Sequence, residues 1–399
     1  MAKTNYLKRT INGKEYYYFR LRHKNLPKPK DVYAPTVKKL DEKLRAIRNE
    51  LENNIINNKE LFETFFTNWL FDVKFITLKP STKERYEGIY RNYIKNNYLS
   101  KIKIKNITLT DIQNYYNKLI KDGSSVNSIV QLNKLIAPCI RYAYDNNILI
   151  KDFTRAIILP QEDEQTKLNK SSKVHPFTLQ EQQRFVSAIK SHELEMLFIT
   201  ALNTGMRQGE LFALTWNDIN FSNNYISINK TYKYTADVSR EGRERTKGII
   251  QTPKTKNSIR RVSIPSGLSE QLRQYKLKQS ELKLKLANQY HDNNLVFCTP
   301  LGKYLDGSNV RKRFNKIISI INFSEKDKSQ IIQLRKFHDL RHTYATRLFE
   351  LGEAAKTVQE LLGHSNTSIT LDIYTHVLEN MKVNAASKLN DLYLTMRAK

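Results

Sequence analysis

The sequence predicts an α+β protein with several domains: a small N-terminal β-sheet with one helix, an all-helical segment, and a mostly helical C-terminal domain with a small antiparallel sheet. Three observations predict this class. A strand-like run follows an Asn12-Gly13 turn signal. A long stretch with apolar residues at helical spacing comes next. From Pro176 onward, helical periods and short β-rich runs are mixed. With 399 residues, the chain is long enough for two or three domains.

The charge of the chain indicates the kind of partner it binds. Lys and Arg number 67 against 39 Asp and Glu, which gives a formal net charge of +28. An excess of this size favours a polyanionic partner, and nucleic acid is the first candidate. No run approaches the ~18 apolar residues of a membrane span, and the N-terminus lacks a signal-peptide pattern. We therefore expect a cytoplasmic protein that does not bind membranes.

Residues 1–55 are predicted to form the first domain, a sheet followed by a helix that starts near Thr36. One face of the strand over residues 14–23 combines aromatic and basic side chains, namely Tyr16, Tyr18, Arg20 and Arg22. Such a face could lie on DNA. Alternatively, it is a solvated basic face over a small core, and the sequence does not decide between the two. An Asn-rich run ends the domain.

Residues 61–160 are predicted to be all-helical. Helices begin near Phe62, Pro80, Thr110 and Ser124. The aromatic residues at helical spacing in this segment are typical of a core rather than of a base-stacking surface. The polar composition of residues 161–173 predicts a linker. It separates this segment from a third domain over residues 174–399.

The third domain is predicted to mix helices with short strands. Strands are expected near residues 225–228, 249–252 and 261–264. Helices are expected near residues 179–189, 193–203, after 209, and near 268–286, 309–321, 338–351, 357–362, 368–376 and 385–397. The basic stretch from Lys230 to Lys254 exceeds a simple hairpin loop. It is either an additional DNA-contacting element, which we favour, or a flexible solvated loop.

The candidate chemistry lies in this domain, in a scattered set of cationic residues and one tyrosine. Arg207 lies in a Thr-Gly-Met-Arg run, His338 and Arg341 are three residues apart, His364 follows Leu-Gly, and Tyr374 lies beyond it. The planar guanidinium group of arginine matches the oxygens of a phosphate. A deprotonated phenol can form a covalent intermediate. The set therefore suits a site that holds a phosphodiester while Tyr374 attacks its phosphorus.

The segment from His338 to His342 has other interpretations. Two histidines four residues apart also occur on the helix of zinc metalloproteases, with Asp339 here in place of the general base Glu. Against a zinc site, Arg341 would place a cation beside the metal, and no third ligand is apparent. Cys139 and Cys298 belong to no CxxC pair, so a cysteine zinc site is not expected either. A capped helix with solvated histidines also fits this pentapeptide alone.

A further motif, Pro253-Lys254-Thr255, precedes a predicted strand. With these motifs in this order, the chain closely resembles the tyrosine recombinases of the lambda-integrase type, from phages and conjugative transposons. The resemblance covers nearly the whole chain. It implies an arm-type DNA-binding domain at residues 1–55, a helical core-binding domain at 61–160 and a catalytic domain at 174–399. It implies an integrase that inserts and excises a mobile element through a Holliday junction.

The resemblance also implies a role for each matched residue. Arg207 and Arg341 would bind the non-bridging oxygens of the scissile phosphate, with Glu210 supporting the arginines. His338 would hydrogen-bond the same phosphate and help to take the proton of the tyrosine.

The remaining roles concern the groups that exchange protons and bonds. Lys254 would protonate the 5′-oxygen leaving group. His364 would donate to a phosphate oxygen and orient Tyr374, which would form the 3′-phosphotyrosine. Lys256 lies two residues after Lys254, on the same side of a strand, so spacing alone does not separate them. The family pattern favours Lys254 and leaves Lys256 as a DNA contact.

The expected partners follow from the same resemblance. They are double-stranded DNA at core-type and arm-type attachment sites, three further copies of the chain in a tetramer, a small excisionase and a host DNA-bending protein. Neither ATP nor a metal cofactor is expected, and the site of action is the nucleoid of a bacterial host. Two alternatives are a catalytically inactive DNA-binding regulator and a type IB-like topoisomerase. The complete residue set argues against the first, and the additional N-terminal domain argues against the second.

Overall fold

The computed structural model describes residues 6–26, 28–52, 59–163, 175–253 and 258–364, together with the helical positions 389, 390, 393, 394 and 396. The chain forms two compact units. The first comprises Met1–Glu162 and Ala236–Arg245, and the second comprises Asp163–Thr235 and Thr246–Lys399. The predicted α+β class is confirmed. None of the helices in the described ranges is both long and apolar enough to cross a membrane.

The first unit begins with a three-stranded antiparallel sheet in the order β1-β2-β3, followed by helix α1. The elements are β1 (Leu7–Ile11), β2 (Lys14–Leu21), β3 (Lys30–Ala34) and α1 (Val37–Glu52). Asn12 and Gly13 have φ angles of 50° and 76°, as a two-residue hairpin turn requires. The predicted turn and the predicted helix are both present, and the sheet and α1 share a small core around Leu21, Leu40 and Leu44.

The rest of the first unit is helical, as predicted. It contains α2 (Phe62–Asn68), a π-helical turn (Trp69–Lys74), α3 (Pro80–Tyr93), α4 (Leu109–Lys121) and α5 (Val126–Asp145). Helix α4 begins one residue before the predicted start near Thr110, and its N-cap residue is Thr108. The side chain of Thr108 accepts from the backbone N–H of Asp111 at 3.3 Å, and the Asp111 carboxylate accepts from the backbone N–H of Thr108 at 2.9 Å. This reciprocal pair fixes the start of the helix.

The stretch from Lys230 to Lys254 departs at its tip from one of the two predicted alternatives, the flexible solvated loop, and DNA contact stays a prediction. Its described part forms an antiparallel hairpin of β6 (Thr231–Thr235) and β7 (Lys247–Gln251), and the residues between the strands group with the first unit. There, Ala236 and Val238 are buried in the core of the helical segment. Arg240 pairs with Asp72, and Arg243 pairs with Glu84. The interpretation as a solvated loop is therefore wrong for Ala236 and Val238, whereas residues 239–245 are exposed.

The second unit surrounds an apolar core with helices and a three-stranded sheet. Its helices are α6 (Leu179–Ala188), α7 (Glu195–Thr204), α8 (Gln208–Ala213), α9 (Ser266–Leu286), α10 (Gly307–Phe323), α11 (Asp339–Glu350) and α12 (Ala355–Leu362). Its sheet has the order β4-β5-β8, from β4 (Ile219–Asn220), β5 (Tyr225–Ile228) and β8 (Arg260–Ser263). Phe185, Phe198 and Phe314 pack their rings together at the centre of the core.

Packing within the second unit brings several chain segments to one place. Helix α11 packs against both α7 and α12, and α12 also contacts β8. The C-terminus of α7, the N-terminus of α8, the N-terminal turn of α11 and the start of β8 therefore lie near the C-terminus of α12. The helices predicted at 368–376 and 385–397 fall outside the described residues, apart from the five isolated positions.

Candidate active site

The turn between α7 and α8 positions Arg207. Helix α7 ends at Gly205, which has a left-handed φ of 59°. A Cβ atom at this position would lie 2.4 Å from the ring of Tyr344, so both the backbone angle and the space require glycine. The chain then reverses, and Arg207 becomes the N-cap residue of α8. The Arg207 side chain remains partly accessible, with 36% of its surface exposed.

Arg341 lies in the first turn of α11 and is buried. Its Nη1 donates to the carbonyl oxygen of Gly205 at 2.8 Å, and its Nη2 donates to that of Leu362 at 2.6 Å. One guanidinium group thus links the end of α7 to the end of α12. The two hydrogen bonds fix the plane of the Arg341 guanidinium group.

Glu210 is buried beneath Arg207 and accepts hydrogen bonds from it twice. Its Oε1 accepts from Nη1 of Arg207, and its Oε2 accepts from the backbone N–H of Arg207, both at 2.9 Å. Burial alone would raise the pKa of Glu210. The hydrogen bonds and positive charge of Arg260, followed by those of Arg207, outweigh burial and hold this pKa below its usual value.

Arg260, the first residue of β8, is a member of this cluster that our sequence analysis missed. Its Nη1 and Nη2 donate to the two oxygens of Glu210 at 3.2 and 3.0 Å, and its Nε donates to the carbonyl oxygen of Leu361 at 2.7 Å. A signal for it exists in the sequence. In an alternating strand Arg260 shares a face with Val262, whose apolar side chain is buried, so the arginine points inward and needs an acidic partner.

Three successive carbonyl oxygens at the C-terminus of α12 each accept a hydrogen bond from a different arginine. Leu361 accepts from Arg260, Leu362 accepts from Arg341, and Gly363 accepts from Nη2 of Arg207 at 3.2 Å. Carbonyl groups at a helix C-terminus lack partners within the helix and carry the negative end of its dipole. Three cations at this end are therefore both hydrogen-bonded and electrostatically favoured.

His364 directly follows this helix end and is held by its backbone. Gly363 caps α12 with a left-handed φ of 64°. The N–H of His364 donates to the carbonyl oxygen of Gln359 at 3.1 Å, and the Gln359 side chain donates to the carbonyl oxygen of His364 at 3.0 Å. Burial, followed by the charges of Arg341 and Arg207, lowers the pKa of His364 to about 4.

His338 occupies the N-cap position of α11 without a capping hydrogen bond from its side chain, and its ring lies 4.9 Å from that of His342, nearly at a right angle. Part of the His338 side chain is exposed to solvent. The rest is surrounded by protein, and this burial, followed by the charges of Arg341 and Arg207, lowers its pKa to about 4. For the buried His342, burial, followed by His338 and Arg341, lowers the pKa to about 3. Near pH 7 both imidazoles are therefore neutral, and a neutral imidazole can accept a proton.

The structure thus brings together five of the residues that the sequence singled out: Arg207, Glu210, His338, Arg341 and His364. Lys254, Lys256 and Tyr374 lie outside the described residues. Within the described ranges, no group of three or more His, Cys, Asp or Glu side chains could hold a metal ion.

The candidate DNA-contacting residues of the first unit are Tyr16, Tyr18 and Arg20 on β2, and Arg22 directly after it. Leu21 is buried, and Tyr17 and Phe19 pack against the small core, so the face with Tyr16, Tyr18, Arg20 and Arg22 is the outer one. Asp31 accepts from Nε of Arg20 at 2.7 Å and from the hydroxyl of Tyr18 at 3.2 Å. Two of the four candidates therefore already share one carboxylate, which reduces the positive charge of this face.

The chain matches two known protein families and several named relatives. The profile of the "Phage integrase family" matches residues 175–381, and that of "Phage integrase, N-terminal SAM-like domain" matches residues 61–120. The chain is 41% identical to a "Tyrosine recombinase XerC-like" protein of Caldanaerobacter subterraneus subsp. tengcongensis, over 98% of this chain and 99% of that protein. It is 28% identical to the "ICEBs1 integrase" of Bacillus subtilis, over 79% of each chain.

Solved structures show the same fold at lower sequence identity. The Tn1549 transposon integrase in complex with transposon right end DNA has a TM-score of 0.62 and 19% identity, covering 78% of this chain and 94% of that one. A lambda integrase tetramer bound to a Holliday junction has a TM-score of 0.54 and 16% identity, covering 90% and 92% of the two chains.

The lowered pKa of His342 predicts that acid destabilises the second unit. Below pH 6.5 the unfolded chain binds a proton at this histidine that the folded chain does not bind until about pH 3. Stability therefore falls as the pH drops below 6.5, by up to about 1.4 kcal/mol per pH unit for one group. We expect His342→Phe to lose less thermal stability than wild type between about pH 7 and about pH 5.

The measurement is the midpoint of thermal unfolding of each protein at both pH values. The exposed His291 provides the matched control, and His291→Gln should lose as much as wild type. An equal loss in wild type and His342→Phe would contradict the prediction.

Proposed function

The chain belongs to the phage integrase family of tyrosine recombinases, and we propose that it inserts a mobile genetic element into DNA and excises it by site-specific strand exchange. The convergence of Arg207, Arg341, His338 and His364 around one helix end carries this proposal. Relatives named as the integrases of ICEBs1, of a staphylococcal phage and of Tn1549 support the mobile-element role.

The arginines supply the positive charge that a cleaved phosphodiester requires. As the phosphorus becomes pentavalent, negative charge grows on its non-bridging oxygens. We assign the partly exposed Arg207 and the buried Arg341 to these oxygens. Hydrogen bonds to backbone carbonyl groups already orient both guanidinium groups in the protein without DNA. Preorganised donors of this kind stabilise a transition state without reorganisation during the reaction. This charge also removes the need for a metal ion.

The histidines and two residues beyond the described ranges complete the reaction. The phenolic oxygen of Tyr374 bonds to phosphorus while its proton passes to the neutral His338, and the bond from phosphorus to the 5′-oxygen breaks. Lys254 gives a proton to that oxygen, so the products are a 3′-phosphotyrosine and a free 5′-hydroxyl. His364 hydrogen-bonds a phosphate oxygen. A 5′-hydroxyl of another strand reverses the step, so the bond energy is retained without ATP.

Each segment of the chain has a separate proposed DNA contact. Residues 1–55 bind arm-type sites through the outer face of β2, residues 61–160 bind the core site, and residues 174–399 cut it. The net charge of +28 supports contacts with DNA over much of the chain. The lambda integrase tetramer on a Holliday junction supports four protomers in the active assembly. An excisionase and a host DNA-bending protein remain expected partners.

Replacing the nucleophile tests the proposed function. Tyr374→Phe removes only the phenolic oxygen, so this variant should bind attachment-site DNA like wild type but form no covalent complex and no recombinant product. The substrates are a nicked duplex and paired plasmids that carry the DNA flanking the gene, and a denaturing gel reveals the covalent band. Tyr234→Phe, at an exposed tyrosine of β6, should retain both activities. A covalent band that persists in Tyr374→Phe would show that another residue is the nucleophile.

A sulfur-substituted substrate tests which lysine protonates the leaving group. A 5′-thiolate leaves without a proton, whereas protonation of a 5′-oxygen contributes about 10²–10⁴-fold in rate. Lys254→Ala should therefore cleave normal DNA slowly but cleave a 5′-bridging phosphorothioate at nearly the wild-type rate. Lys256→Ala should show little defect on either substrate. Rescue of Lys256→Ala, with Lys254→Ala still inactive, would assign the role to Lys256.

A further inference from the structure

We propose that Arg260 is a positioning residue for DNA cleavage, which keeps the charge of Arg207 available to the scissile phosphate and fixes the helix end that precedes His364. The inference rests on the phosphate-binding role proposed for Arg207. Arg260 itself is set back from the phosphate, because only 6% of its side chain is exposed. It acts through Glu210 and through the carbonyl oxygen of Leu361.

The first part of the argument is charge. Glu210 and Arg207 alone would form a closed ion pair with no net charge, and the buried carboxylate would compete with a phosphate for the same guanidinium group. Arg260 donates to both oxygens of Glu210 and neutralises its negative charge. The cluster of Arg207, Glu210 and Arg260 then carries one net positive charge, at its accessible member.

The second part is hydrogen-bond capacity. An ionised carboxylate has about four acceptor sites. Glu210 receives four hydrogen bonds, two from Arg207 and two from Arg260. Loss of Arg260 would leave the buried carboxylate of Glu210 with only two of its four hydrogen bonds. The side chain of Arg207, which already contacts Glu210, could then rotate to donate the missing ones. The guanidinium group of Arg207 would then move away from the position that binds phosphate.

The third part is the helix end. Nε of Arg260 holds the carbonyl oxygen of Leu361 while Nη1 and Nη2 hold Glu210. One planar fork therefore fixes Glu210 and the C-terminus of α12 at once, and the ammonium group of lysine cannot reproduce this geometry. Misplacement by about 1 Å in such a site costs on the order of 10²-fold in rate.

The experiment compares cleavage of two scissile groups by wild type, Arg260→Gln, Arg260→Lys and Arg207→Ala. The DNA is an attachment-site duplex from the region flanking the gene, with either a normal phosphodiester or an uncharged methylphosphonate at the cleavage position. Single-turnover formation of the covalent complex is measured at saturating protein. The matched control is Arg261→Gln, because Arg261 is the exposed neighbour on β8 and stacks on Tyr225.

On the phosphodiester, both Arg260 variants should cleave about 10²-fold more slowly than wild type, and Arg261→Gln should cleave at the wild-type rate. On the methylphosphonate, the defect of Arg260→Gln should shrink by about tenfold or more, in parallel with that of Arg207→Ala, whereas the defect of Arg260→Lys, which keeps a cation beside Glu210, should shrink less. The charge that Arg207 neutralises is absent from this substrate. A merely structural role would give the same defect on both substrates, since general loss of packing does not depend on the charge of the phosphate.

Two outcomes overturn the inference: wild-type cleavage by the Arg260 variants, or an equal defect of Arg260→Gln on both substrates. If Arg260→Gln does not fold, Arg260→Lys tests the guanidinium geometry: it keeps a cation beside Glu210 but loses the planar group, so wild-type cleavage by Arg260→Lys would overturn the inference. Failure of the proposed function gives a different result, because wild type would then form no covalent complex with either substrate.

Discussion

The C-terminus of α12 organises the candidate active site, because three arginines from three distant segments bind its last carbonyl oxygens. Arg207 comes from the turn before α8, Arg260 from β8, and Arg341 from α11. A helix C-terminus offers unpaired acceptors and partial negative charge, so it attracts cations that would otherwise repel one another. The same helix end continues directly into His364, and the chain then runs on to Tyr374.

This arrangement places strict demands on the surrounding fold. Buried charges are tolerated only when they are paired and fully hydrogen-bonded, and removal of one partner typically costs about 3–5 kcal/mol. Glu210 meets this demand with four donors. Gly205 allows α7 to end against the ring of Tyr344 and presents its carbonyl group to Arg341. Burial, followed by the charges of the neighbouring arginines, lowers the pKa values of His338 and His364 and keeps both neutral, which leaves the net charge of the site on the arginines.

Much of this architecture could be predicted from local sequence signals, and the failures have physical causes. The Asn12-Gly13 turn and the outer face of β2 follow from backbone geometry and alternation. The motif residues were found because their types and order are distinctive. Arg260 was missed because its role depends on a partner 50 residues away. The burial of Val238 was missed because the polar residues around it resemble a solvated loop, and only tertiary packing reveals its apolar partners.

Hydrogen exchange at the end of α12 tests most directly whether the arginines hold this helix end. The backbone N–H groups of Gly363 and His364 donate to Glu360 and Gln359, and they are protected only while the helix end stays closed. Peptides that contain these two residues should exchange faster in Arg260→Gln than in wild type and Arg261→Gln, with unchanged exchange in α9. Equal exchange in all three proteins would contradict the account, because the helix end would then be stable without Arg260.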